Sequence, residues 1–174
     1  MEPILIISTV LLWLVVLFNM LLTFGIIRRV NVRSGATKPE MLRVGDLAPE
    51  FSAKTLDGQS INSNQIAGLE LALVFMASTC TPCKDKVPEL KGLFSAMEEK
   101  GGTLGLVFRE PVDEVRRFVD EQQLAMPTFV TLPPNPCWTD YKVPGTPFCC
   151  LINASRRIQF AGFLDNGWID NLLL

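Results

Sequence analysis

Histidine does not occur anywhere in this chain of 174 residues. Its absence removes Ser-His and Cys-His nucleophilic catalysis, along with the usual imidazole-bearing metal sites. Net charge is also scarce, at -2, and gives no sign of a nucleic-acid partner. The five cysteines fit neither a disulfide-dense secreted scaffold nor a zinc module, and their odd number leaves at least one thiol unpaired within the chain. What the chain has in quantity is apolar surface, with 48% hydrophobic and 20% charged residues. One globular domain and one membrane segment account for that length and composition.

The most informative stretch is Ala77 to Pro88, ASTCTPCKDKVP, which sets Cys80 and Cys83 at C-x-x-C spacing. Upstream, Leu69 to Ala77 is a nearly unbroken apolar run of strand length, as expected for a strand buried on both faces. Downstream, Val87, Leu90, Phe94 and Met97 recur at helical spacing, predicting a helix that runs to about Lys100. The thiols therefore fall in a turn between strand and helix. A cysteine at a helix start meets unpaired N–H groups and the positive end of the dipole, which favour its thiolate; Lys84 and Lys86 are candidates to add to that field.

Cys80, the first of the pair, is the expected attacking thiolate, and Cys83 is placed to resolve a mixed disulfide. Thr81 and Pro82 form the active-site turn, Pro82 fitting early in a helix where its missing N–H is no loss. A static disulfide or half of a zinc site are the alternatives. Zinc would need further ligands from Cys137, Cys149, Cys150 or a carboxylate. The strand-to-helix context favours a redox-active dithiol, with no cofactor and no metal.

Ile4 to Ile27 is an uncharged run of 24 residues. As a helix it extends roughly 36 Å, enough to cross a hydrocarbon core of about 30 Å. A cleaved signal peptide would have an apolar core about half as long, preceded by positive charge. Here Glu2 precedes the run and Arg28-Arg29 follow it, so residues 1–29 are expected to be a retained transmembrane anchor. Arg28, Arg29, Arg33, Lys38 and Arg43 all lie after the span, and the positive-inside rule would keep the globular part in the cytoplasm.

Residues 30–44, with Ser34-Gly35 and Pro39, read as a polar tether, and the folded domain is expected over 45–174. Phe51 to Leu56 and Gln59 to Ile61 predict a hairpin turned at Asp57-Gly58, followed by a linker or single turn to Gly68. Thr103 to Phe108 predicts a second buried strand. Pro111 opens a helix with Val112, Val115, Phe118, Val119 and Gln122 on one face. Met126 to Leu132 suggests a short strand, and Pro133 to Trp138 a loop whose Cys137 is either an incidental thiol or an extra redox partner for the pair.

Phe148 to Asn153 predicts a buried strand opened by Pro147, which gives up a ladder donor. A cis Thr146–Pro147 bond would explain that, turning the chain beside the thiols and leaving the Thr146 backbone to pair with an extended substrate. Cys149 and Cys150 should point to opposite faces as small buried hydrophobes. Arg156 to Leu164 predicts a last strand, and Gly167 to Leu174 a short helix carrying Trp168 and Leu172. Strands alternating with helices, with the last two strands joined by a short turn, predict a mixed sheet covered by helices on both faces.

The order of an apolar anchor, GDLAPEFSAKTLDG, LVFMASTCTPCK and VPGTPF resembles the membrane-anchored thioredoxin-like proteins of the TlpA group over essentially the whole chain. The anchor and tether are most similar to the methylamine dehydrogenase accessory (MauD-type) proteins. The resemblance implies a three-layer thioredoxin-like α/β fold after one transmembrane helix, with Cys80-Thr81-Pro82-Cys83 as redox motif, Pro88 as a helix-kinking proline, and Thr146-Pro147 as the substrate-side cis-proline. It implies thiol–disulfide exchange with a protein substrate that carries a disulfide or dithiol, and a membrane or soluble redox partner. It also favours an extracytoplasmic domain held by a single-pass anchor.

Three positions depart from the pattern. Thr79 stands where relatives usually have Trp, Val74 where ordinary thioredoxins bury an Asp, and Lys86 where some cytochrome-maturation relatives bury a Glu. The usual carboxylate proton relay is therefore missing from these positions. Thiol peroxidase and non-catalytic metal-binding assembly factor are the alternatives from other classes. The Pro and Thr that peroxiredoxins carry upstream of their reactive cysteine are absent at the required offsets, and the lack of His argues against a copper carrier.

Overall fold

The computed structural model describes residues 2–34, 41–66 and 68–165. The chain divides into two units, Met1–Glu40 and Met41–Leu174. Among the described residues the first contains a single helix, α1, Glu2–Ser34. Its stretch Ile6–Gly25 is exposed and long and apolar enough to cross a membrane by length and composition. The Thr9 and Thr23 hydroxyls donate to the Ile6 and Asn19 carbonyls, keeping these polar groups satisfied within the helix. The helix runs beyond the expected end at residue 29 and into the predicted tether. No Gly or Pro interrupts Ile26 to Ser34, and the arginines there are good helix formers.

Among the described residues of the second unit, seven strands form one sheet in the order β2-β1-β5-β4-β3-β6-β7. The hairpin of β1 (Ser52–Thr55) and β2 (Ser60–Asn62) turns at Gly58, whose φ of 81° is the left-handed region that glycine enters without a Cβ penalty. A single 3-10 turn, Ser63–Ile66, occupies the predicted linker.

β3 (Leu71–Phe75), β4 (Thr103–Phe108) and β5 (Thr128–Val130) are parallel neighbours, while β6 (Phe148–Ile152) and β7 (Ile158–Phe163) join antiparallel. β3 is buried on both faces, as its unbroken apolar run demands. Alternation divides its side chains. Ala72 and Val74 face a core built with Val87, Leu90, Leu93, Met97, Val115 and Phe118, and Leu71, Leu73 and Phe75 face one built with Phe51, Tyr141 and Ile158.

Helices α2 (Thr81–Asp85), α3 (Val87–Glu99) and α4 (Val112–Gln122) contribute to the first core. The short α5 (Cys137–Asp140) contributes to the second. Met41 and Leu42 already pack against this second core, and the Tyr141 hydroxyl donates to the Pro49 carbonyl at 2.9 Å.

The structure corrects two local expectations. The predicted continuous helix from the thiols to Lys100 is broken at Lys86, because Pro88 has no N–H for the Lys84 carbonyl and crowds the preceding turn. The loop expected over Pro133–Trp138 ends in α5, and Cys137 is 1% exposed within the second core. A cis Pro133–Pro134 bond, which the sequence does not signal, precedes it. The helix expected over Gly167 to Leu174 lies outside the described residues.

Candidate active site

Register brings the two informative stretches together. Antiparallel β3 and β6 pair Phe75 with Phe148, so the chain leaving β3 and the chain entering β6 meet at one end of these two central strands. Cys80 lies in the first and Thr146-Pro147 in the second. Cys80 Sγ is 3.7 Å from the Thr146 carbonyl oxygen. The Thr146–Pro147 bond is cis, Pro147 is buried, and its carbonyl accepts the Leu164 N–H at 3.2 Å.

Cys80 and Cys83 are disulfide-bonded, with Cα atoms 5.2 Å apart. Cys80 caps α2 from an extended backbone, and its sulfur accepts the Cys83 N–H at 3.2 Å. That same N–H reaches the Cys80 carbonyl at 3.1 Å. The two sulfurs differ in access. Cys83 is fully buried, whereas Cys80 is half-buried and Thr79, Thr81 and Pro82 around it are exposed. Only Cys80 is open to an incoming molecule. Since α2 ends after one turn, the field at its sulfur comes from the nearest amides and not from a long helix dipole.

Beneath the pair the surroundings are apolar. Val74 and Cys149 share the core of Cys83, and among the described residues the buried polar ones are Thr128 and Thr131. Lys86 does not lend an uncompensated charge, because its Nζ sits 2.9 Å from the Glu89 carboxylate. Lys84 is exposed. The remaining thiols are buried and held protonated: burial pushes Cys137 up to about 12, with Asp140 adding to the effect, burial pushes Cys150 up to about 12, and it raises Cys149 well above its ordinary value. Cys149 and Cys150 occupy opposite faces of β6. Cys137 is buried in α5 and belongs to the core of Cys150, whereas Cys83 belongs to the core on the other face of the sheet.

Sequence reasoning missed Glu110. Its Oε2 accepts the Ser78 N–H at 2.8 Å, two residues before Cys80. β4 runs parallel to β3, so the segment after β4 must emerge at the same C-terminal end of the strands where the thiols lie; a carboxylate there was the available signal.

Residues 44–160 match the model of the AhpC/TSA family. A thiol-disulfide oxidoreductase, ResA, from Oceanobacillus iheyensis is 31% identical over 93 residues, covering 51% of this chain and 48% of that protein. The thioredoxin-like protein YneN of Bacillus subtilis is 26% identical over 133 residues, 74% of this chain and 77% of that one. The chain thus spans about half the length of the ResA relatives it matches. Among solved structures, the thioredoxin domain of a thiol-disulfide oxidoreductase from Bacteroides vulgatus superposes with a TM-score of 0.69 at 19% identity, covering 76% of this chain and 96% of that one. This likeness carries the thioredoxin-like α/β fold with its mixed sheet.

Proposed function

The chain belongs to the AhpC/TSA family, and from that premise we propose that it is a thiol-disulfide oxidoreductase in which Cys80 and Cys83 exchange a disulfide with protein substrates. The observation that carries the reading is the single accessible sulfur of Cys80, held 3.2 Å from the Cys83 N–H and 3.7 Å from the Thr146 carbonyl, with its partner sulfur buried behind it.

In the reducing direction the dithiol form reacts. The Cys83 N–H and neighbouring amides stabilise negative charge on the Cys80 sulfur, which attacks one sulfur of the substrate disulfide. A Cys80–substrate S–S bond forms, the substrate S–S bond breaks, and the departing thiolate takes up a proton. Cys83, deprotonated, then attacks Cys80 Sγ, restores the intramolecular bond and releases the second substrate thiolate. Two electrons pass from protein to substrate. Oxidation of a substrate dithiol runs the same steps in reverse.

Thr146 and Pro147 form the docking edge. Among the described residues the Thr146 N–H has no hydrogen-bond partner, and an extended substrate segment can take it as a strand partner. Thr81 and Pro82 shape the turn. No buried carboxylate adjoins the pair among the described residues, so the protons move through solvent at the exposed Cys80 side.

The Cys83→Ser variant should accumulate a covalent Cys80–substrate adduct visible on non-reducing gels, and Cys80→Ser should abolish it. A Cys83 variant that captures nothing would overturn the reading.

We further place α1 as a single-pass anchor and the folded unit on the extracytoplasmic side, serving maturation of an exported protein in the manner of the MauD-type accessory proteins. The apolar span and the order of sequence motifs support this, while the basic residues after the span favour the opposite side. An impermeant maleimide should label Cys80 in intact, mildly reduced cells. Labelling only after lysis reverses the orientation.

A further inference from the structure

The loop leading into Cys80 forms one wall of a groove that the exchange chemistry does not use. Ser78 and Thr79 face Glu114, Arg117, Phe118 and Glu121 of α4 across a volume of about 320 Å³. That lies at the small end of the about 300–1,000 Å³ that ligand sites span, and suits one long side chain. The four α4 residues fall at helical spacing on one stripe. Phe118 is buried and supplies an apolar floor, and the exposed Thr79 is too small to close the end next to Cys80.

The charges around the groove define what fits it. Glu114 and Glu121 stand two helical turns apart, and among the described residues neither forms an ion pair. Arg117, between them, turns its Nε to the Asp113 carbonyl of its own helix at 3.4 Å. Glu110, on the Ser78 N–H, adds a further negative charge at the same wall. An apolar floor under a net negative rim matches a side chain with a hydrocarbon stem and a cationic head.

We propose that this groove is a specificity subsite of the exchange reaction, taking a Lys or Arg side chain that flanks the substrate's disulfide cysteine and so holding that disulfide over Cys80. The proposal rests on the thiol–disulfide reading above. Glu114, Glu121 and Thr79 act as positioning residues, since they touch the flanking side chain and not the reacting sulfurs.

The test uses the full-length chain in non-ionic detergent, reduced and freed of reductant. It is mixed in single turnover with two disulfide-linked peptides that are identical except for Lys or Glu beside one cysteine. The ratio of the two thiol-release rates is the readout, so a general change in folding or thiol reactivity cancels. In the wild type the Lys peptide should react about three- to tenfold faster, the range that one or two exposed ion pairs supply. The ratio should fall toward about one in Glu114→Gln/Glu121→Gln, in Thr79→Trp, whose indole fills the groove, and in the wild type at high salt. Equal rates on the two peptides, or a Lys preference that survives both substitutions, overturns the subsite while leaving the exchange reaction standing. Release of thiol from neither peptide, or release undiminished in Cys80→Ser, overturns the exchange reaction and the subsite together.

Discussion

Replacing Glu110 tests whether the segment after β4 holds the reactive loop in place. Its carboxylate accepts the Ser78 N–H at 2.8 Å, and a hydrogen bond to a charged group contributes about 1.5–3 kcal/mol. Both residues are half-buried, so water replaces part of that bond in Glu110→Ala and the expected cost is about 1–2 kcal/mol. For a domain of this size the loss lowers Tm by roughly 3–10 °C. Glu110→Gln keeps an oxygen acceptor for the same N–H and should cost less than about 1 kcal/mol.

Urea unfolding of the oxidised full-length chain in non-ionic detergent, followed by tryptophan fluorescence, measures both variants. Single-turnover exchange at Cys80 should slow in the Ala variant and be largely retained in the Gln variant. An Ala variant as stable as the wild type, or a Gln variant as unstable as the Ala variant, would refute the assignment of Glu110 as the anchor of this loop.

The buried cores give three more expected outcomes. Burial holds the Cys137 and Cys150 thiols up to about 12 from an ordinary value of 9.0, so in alkali the unfolded chain loses these protons before the folded one does. Stability is therefore intact below about pH 9 and falls from there toward pH 12, by about 1.4 kcal/mol per pH unit for each thiol. Cys150→Ala should flatten that decline by one such increment in unfolding measured across an alkaline series, and an unchanged slope would contradict it. A Cβ added at Gly105 would run into the Phe129 ring across the β4–β5 pair, so Gly105→Ala should destabilise the domain by about 1–3 kcal/mol in the same urea assay. Native alkylation of the reduced protein should modify Cys80 and leave Cys137, Cys149 and Cys150 untouched; early labelling of any of these three would contradict their placement in the cores.

The elements legible in the chain are those fixed by local pattern. The buried runs Leu71–Phe75 and Thr103–Phe108 are strands, Asp57-Gly58 is a hairpin turn, and the stripe through Val115 and Phe118 is the packed face of α4. Cys149 and Cys150 face opposite ways because alternation along a strand leaves no other choice.

The features that escape a sequence reading depend on contacts distant in sequence, or on competing local rules. Cys137 looks like a loop residue in a run of prolines, and only the packing of α5 under Phe75 and Tyr141 buries it. Glu110 reads as a charge before a helix until the parallel pairing of β3 and β4 sets it beside Ser78. Pro88 is recognisable by its place in the motif, yet the apolar spacing continues through it, and the break at Lys86 comes from the one N–H that spacing does not count.

The central claim is that Cys80 and Cys83 cycle between linked and open forms and pass two electrons as they do. A redox titration of the full-length protein against graded thiol and disulfide buffers, with alkylation of open thiols and mass spectrometry of the peptide carrying both cysteines, tests it most directly. One two-electron transition confined to that peptide is expected, with the linked-to-open ratio changing tenfold for about every 30 mV, and lost in either Cys→Ser variant. A pair that stays linked or stays open across the whole series would contradict it.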